Sequence, residues 1–311
     1  MSCEKKIKTS IGGQALIEGI MMKGPKKTAT VVRNPQGEMV TKVEATSAWK
    51  EKHKILGGPL LRGVVGFVES MVRGYSSLMY SAEISGEIEE EPESKFDRWL
   101  EEKFGDKLMK IAGGIGMVLG VCLAVVLFFW LPSALFGWIF GETTGLWRSV
   151  FEGVVRILIF LAYMILVSRT KEIRRVFQYH GAEHKTIFCY EAREELTVEN
   201  VRKQTRFHPR CGTSFMILML LLSIIVGFFI QTANPWLRAI IKIALLPVVM
   251  GVGYVLIKIC GRFDNIITRV ISAPGLGMQR LTTKEPDDGM IEVAIAALRE
   301  VIPEDGEDQI P

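Results

Sequence analysis

Histidine is scarce in this chain, with four among 311 residues. That excludes membrane oxygenases of the di-iron type, which gather their metals with many more. Cysteine is also sparse: five residues, odd in number and scattered, with Cys122 and Cys260 inside apolar runs. No disulfide framework follows, and a reducing compartment fits. No secretory signal opens the chain. Met1 to Ser10 is polar, and the apolar stretch from Ile11 to Met22 is broken by Gly12, Gly13, Gln14, Glu18 and Gly19, so the amino terminus is expected in the cytoplasm. Charge of one sign is not in excess either. The net charge of +4 gives no reason to expect a nucleic-acid partner.

What is present is apolar surface. A hydrophobic content of 49% and a mean hydropathy of +0.25 describe a chain that is part membrane and part soluble. Four runs meet the roughly 17 to 25 residues that cross hydrocarbon: Ile111 to Leu131, Val150 to Ser168, Ser214 to Ile230 and Ala239 to Cys260. Among them stand few ionisable groups. Glu152 and Arg156 are spaced to pair with each other, Lys242 is placed to snorkel, and Pro247 to kink its helix. So few charges, and no broken pair of helices, argue against a transporter.

Lys and Arg cluster before the first run and between the second and third, while the other two loops hold only Arg148 and Arg238. Positive-inside charge bias therefore predicts a multi-pass plasma-membrane protein with both termini cytoplasmic. The expected fold is mainly α: four transmembrane helices with a cytoplasmic cap that includes a small N-terminal β-sheet. Its lipid partner is the bilayer.

In chain order, residues 1–54 form the N-terminal β element. A strand over Ala15 to Met22 precedes a hairpin, Thr28 to Arg33 and Glu38 to Val43, turned at Asn34-Pro35-Gln36-Gly37. Glu18 stands within the first strand, and His53 among lysines is solvated. Residues 55–110 hold a helix from Leu60 to Ile84 that lies at the interface or packs against the bundle, an acidic linker from Ser85 to Glu93, and a charged helix from Phe96 to Lys110. Spans one and two occupy 111–168, a His-rich segment 169–213, and spans three and four 214–260. The C-terminal region, 261–311, is broken at Ala273-Pro274-Gly275, closes with a helix capped by Asp287-Asp288, and ends in an acidic, disordered tail from Pro303.

Chemistry concentrates in 169–213. A helix from about Thr170 to Arg193 carries an apolar stripe of Ile173, Val176, Phe177, Ile187 and Phe188. It aligns His180 and His184 one turn apart, where two imidazoles can grip one metal ion. Glu183 lies beside them as a general base. His208 and Cys211 offer a further nitrogen and a thiolate of the softness zinc prefers, and Glu191 is a further candidate on the same face. Arg206 and Arg210 are placed to hold an anionic group. The H-x-x-E-H spacing is that of inverzincin metallopeptidases, but the likeness stops at those five residues.

Three functions follow. The first is a zinc-dependent hydrolase at the cytoplasmic membrane surface, acting on a peptide or a lipid. The second is a scaffold with a structural zinc closed by His180, His184, His208 and Cys211. The third is an acyl transferase or hydrolase in which Cys211, near a helix amino terminus, is the nucleophile and His208 its base. Four phrases also resemble the YqhQ-like family of bacterial membrane proteins: Gly12 to Met22, His180 to Lys185, His208 to Thr213, and Arg280 to Asp288. Its members carry a domain of unknown function and have been described as predicted metal-dependent enzymes, so the resemblance implies a metal-dependent activity without naming a substrate.

Overall fold

The computed structural model describes residues 7–46, 61–86, 114–141, 143–263 and 265–309. The charged stretch at 96–110, most of the acidic linker and His53 lie outside them. Two compact units emerge, one of Met1–Ile88, Tyr163–Met219 and Met250–Pro311, the other of Glu89–Ala162 and Leu220–Val249.

The first unit is built on a four-stranded antiparallel meander: β1 (Gly12–Leu16), β2 (Gly19–Lys23), β3 (Lys27–Arg33) and β4 (Met39–Ala45). The single strand expected over Ala15 to Met22 is in fact two, folded back at Ile17-Glu18 so that Leu16 faces Gly19. Glu18 takes φ 47° there, a left-handed conformation that a carboxylate residue adopts only when held. The turn at Asn34 forms as expected. Gly37 has φ 87°, and the Asn34 side chain accepts from the Glu38 amide at 2.8 Å.

Alternation along the strands gives the sheet two different faces. Ile20, Met22, Ala29 and Val31 pack into a core with Tyr179, Ala182, Ile187, Ile291, Ala294 and Leu298. On the other face lies helix α1 (Leu61–Ile84), whose Ser77 and Ser81 meet Met21 and the Ile17 amide. The helices against the core are α4 (Lys171–Glu191), α5 (Val198–Lys203) and α9 (Asp288–Arg299). Asp287 caps α9 by accepting the Met290 amide at 2.9 Å. The acidic tail is ordered through residue 309, contrary to expectation. Thr9 Oγ1 donates to Asp308 at 2.5 Å, and Thr9 bridges Gln309, so buried partners hold a segment whose composition alone reads as disordered. Nor does Ala273-Pro274-Gly275 break its helix: α8 (Ile266–Thr282) runs through it. One backbone bond is lost at Pro274, while a capping box at Asn265 and close packing of Gly275 on Ser214 hold the rest.

Among the described residues, three helices are long and apolar enough to cross a membrane: α2 (Gly114–Phe140), α3 (Leu146–Val167) and α7 (Pro235–Arg262), the last apolar as far as Cys260. The run beginning at Ser214 forms α6 (Gly212–Gly227), 16 residues and about 24 Å, short of the roughly 30 Å of hydrocarbon. Helix α2 passes Leu131, where its span was expected to end. Pro132 cannot donate to the Phe128 carbonyl, and the chain widens into a π turn at Val126–Trp130. The freed carbonyl accepts from Arg156 Nε at 2.7 Å. The second span does not continue into α4, because three residues with an extended Thr170 intervene.

Candidate metal centre

Helix α4 starts after Thr170 and ends with Ala192 as its cap, so His180 and His184 stand one turn apart, ring centroids 4.4 Å from each other. Both rings are oriented from behind. His180 Nδ1 lies 2.9 Å from the Thr282 carbonyl, and His184 Nδ1 lies 2.5 Å from the Arg206 carbonyl. A carbonyl can only accept, so each Nδ1 carries the proton and each Nε2 keeps its lone pair for the site. Cys211, held in the turn before α6, brings its Sγ to 3.1 Å from His180 Nε2.

The donor atoms of His180, His184 and Cys211 all lie within 4.8 Å of one another. Zinc bonds of about 2.0 to 2.3 Å place tetrahedral ligand atoms about 3.5 Å apart, so the donor types suit such an ion, and the more widely spaced of these atoms would draw closer to share it. Glu183 is buried beside them. Its Oε1 accepts the Gly13 amide at 3.0 Å, and its Oε2 has no hydrogen-bond partner. Burial raises its pKa, opposed by His180 and by the Gly13 amide.

The other candidates stand apart from these three. The His208 ring lies 5.5 Å from that of His184, and its two nitrogens sit 3.3 and 3.4 Å from the amide and guanidinium of Arg210. Burial, then the neighbouring His184, Arg210 and His180, push its pKa well down. Glu191 is taken by the Arg210 guanidinium and accepts the Thr9 amide at 2.9 Å. Arg206, with Lys185, grips Glu285. Both arginines therefore carry internal carboxylate partners.

Sequence reasoning missed the frame around these residues. Gly13 enters on β1 with no room for a side chain: a Cβ there would lie 2.7 Å from the Met21 carbonyl and 3.0 Å from Glu183 Cδ. Gly181 lets the segment after α8 run against α4, since a Cβ would come within 2.0 Å of the Lys284 carbonyl. Lys284 in turn donates its amide to the Phe177 carbonyl at 2.8 Å. Gln279, fully buried, clamps His208 by accepting its amide at 2.7 Å and donating to its carbonyl at 2.6 Å. The only signal for these contacts was the presence of glycines and of the Arg280 to Asp288 phrase far from the histidines.

The residues of this centre fall in segments that a family model matches. Residues 58–304 fit the model described as a protein of unknown function, DUF1385. The chain belongs to this family. It is also 33% identical over 308 residues to the uncharacterized protein YqhQ of Bacillus subtilis (strain 168), covering 96% of this chain and 93% of that one. No solved structure matches.

Proposed function

We propose that this family member is a membrane-bound, zinc-dependent hydrolase with His180, His184 and Cys211 as ligands. The observation that carries it is the pair of histidines whose Nδ1–H groups are spent on the Thr282 and Arg206 carbonyls, leaving two Nε2 lone pairs and one thiol converging. Three protein ligands leave a fourth position, the usual mark of a catalytic rather than a structural zinc. When bound, the ion supplies Lewis acidity to a water or a substrate oxygen. Glu183, with Oε1 fixed by Gly13 and Oε2 uncommitted, receives and returns the proton. The substrate is a peptide or a lipid bond, reached at the cytoplasmic surface.

That placement rests on charge. Ten Lys and Arg between 169 and 210 flank the site, and positive-inside bias sets them in the cytoplasm. We read α6 with its continuation to Ile230 as a fourth, short crossing, which puts both termini on that side and makes the sheet and α4 a cytoplasmic cap.

His208, its ring 5.5 Å from that of His184, favours a second reading in which it swings in to close a structural site. X-ray absorption on zinc-loaded protein separates the two: a light oxygen scatterer beside two nitrogens and one sulfur supports the hydrolase, and a closed shell of three nitrogens and one sulfur overturns it in favour of the scaffold. Protein that binds no zinc shifts the chemistry to the Cys211 thiol, 3.1 Å from His180 Nε2, as a nucleophile.

A further inference from the structure

A second group of charges sits in the unit that contains α2 and most of α3. Glu152 is almost fully buried and pairs with Arg148 at 3.0 Å, Arg238 at 2.7 Å and Lys242. The direct ion pair expected with Arg156 is not formed, since three other cations take the carboxylate, although Glu152 still attracts that guanidinium through space. Lys242 does not snorkel, being 6% exposed.

Arg148 and Arg238 are fully provided for. Arg148 donates to the Thr143, Ser133 and Ala233 carbonyls. Arg238 donates to those of Ile230, Thr232 and Gly227, at and beyond the carboxyl end of α6, where the helix dipole is negative. Arg156 is not. It is 3% exposed, and its Nε and Nη1 reach the Phe128 carbonyl and Ser223 Oγ at 2.7 Å each. Its Nη2 is buried with no partner, and no carboxylate among the described residues pairs with it. Arg156 feels the charge of Glu152 across space, and it is also close enough to Lys242 and Arg238 for their charges to repel.

Among the described residues, one carboxylate thus faces four cations in an apolar bundle. Even with Lys242 neutral, three guanidinium groups that do not deprotonate leave an excess of two positive charges. Burying such an excess is costly unless an anion offsets it, and intramembrane charges are retained for a use. Beside the group lies a cavity of about 510 Å³ lined mainly by Val226, Phe229, Ile230, Ile241 and Leu245. Ile230 belongs to both, lining the cavity and giving its carbonyl to Arg238.

We propose that Arg156 Nη2, supported by Lys242, binds a phosphate oxyanion within the bundle, and that the apolar cavity reached past Ile230 and Arg238 takes the acyl portion when that phosphate is a lipid headgroup. The site is separate from the histidine centre and does not depend on it. Basic pockets between membrane helices bind anionic headgroups on the same physical grounds.

The test is binding to full-length protein in neutral detergent, followed by calorimetry, with three probes: inorganic phosphate, short-chain phosphatidylglycerol, and short-chain phosphatidylcholine as the zwitterionic control. Saturable phosphatidylglycerol binding, weakened at least tenfold in Arg156→Gln and less in Arg156→Lys, is expected. Phosphate binding as tightly as the lipid assigns the site to the free ion and removes the role of the cavity. No saturable binding of either anion to wild type overturns the proposal, as does equal binding by phosphatidylcholine. Should Arg156→Gln fail to fold, Arg156→Lys alone decides: it keeps the charge but loses the planar fork, and unchanged affinity overturns the role of Nη2.

Discussion

The amide of Gly13 donates to Oε1 of Glu183 at 3.0 Å, across 170 residues of sequence. A β-strand at one end of the chain thereby aims the carboxylate of a helix in its middle, and the free Oε2 of that carboxylate is the one buried oxygen at the centre left for chemistry. Replacing Gly13 with Ala puts a Cβ 2.7 Å from the Met21 carbonyl and 3.0 Å from Glu183 Cδ. Overpacking of this kind costs about 1 to 3 kcal/mol. Gly13→Ala should lower the thermal midpoint while leaving zinc content unchanged, since it touches none of the proposed ligands His180, His184 and Cys211. Loss of zinc in this variant would show that Glu183 is itself a ligand.

Gly181→Ala acts on the metal instead. The new methyl would lie 2.0 Å from the Lys284 carbonyl, forcing the chain after α8 outward and carrying with it the Thr282 carbonyl that orients His180. Loss of such an orienting partner costs about 10- to 100-fold in metal affinity. Competition of the variant against a zinc chelator checks this, and an unchanged affinity would contradict it.

Glu191→Ala separates ligand from ion pair. Removing one partner of a buried pair costs about 3 kcal/mol or more, here by stranding Arg210. The melting temperature should fall while one zinc per chain is retained at low temperature. Zinc lost from a folded variant would return Glu191 to the first coordination sphere.

Alkaline pH should weaken the core between the sheet and α4. Burial pushes the Cys189 thiol from 9.0 up to about 11, and burial with a bond to Asp308 pushes Tyr190 from 10.0 up to about 12. A raised folded pKa gives stability that is complete below the unfolded value and is lost as pH rises through the folded one. Thermal midpoints should therefore be flat to about pH 8.5 and fall progressively between pH 9 and 12, less so in Cys189→Ala. A flat profile in wild type across that window would contradict this.

Much of α4 was legible because its signal is local: apolar residues from Ile173 to Phe188 at helical spacing. The turn at Asn34 was legible for the same reason. The fold-back at Ile17-Glu18 was not, since what holds Glu18 there is a bidentate grip by Arg175 and a bond from Tyr179 Oη at 3.2 Å, contacts between distant parts of the chain. Pro274 misled because a lost hydrogen bond is local and the packing that offsets it is not. At the candidate centre, the sequence offered His180, His184, His208, Cys211 and Glu191, but which donors converge depends on backbone carbonyls of Arg206 and Thr282, and carbonyls carry no sequence signature. Arg210 and Glu191, each offered separately for the site, instead satisfy each other.

The central claim is that His180, His184 and Cys211 hold a metal ion. The most direct measurement is zinc per chain in detergent-purified, chelator-free protein, for wild type beside His184→Ala, Cys211→Ser and Glu183→Gln. One zinc in wild type and in Glu183→Gln, and less than a tenth of that in folded His184→Ala and Cys211→Ser, is the predicted result. Wild type without metal after incubation in zinc, or folded His184→Ala that keeps its zinc, would contradict the account.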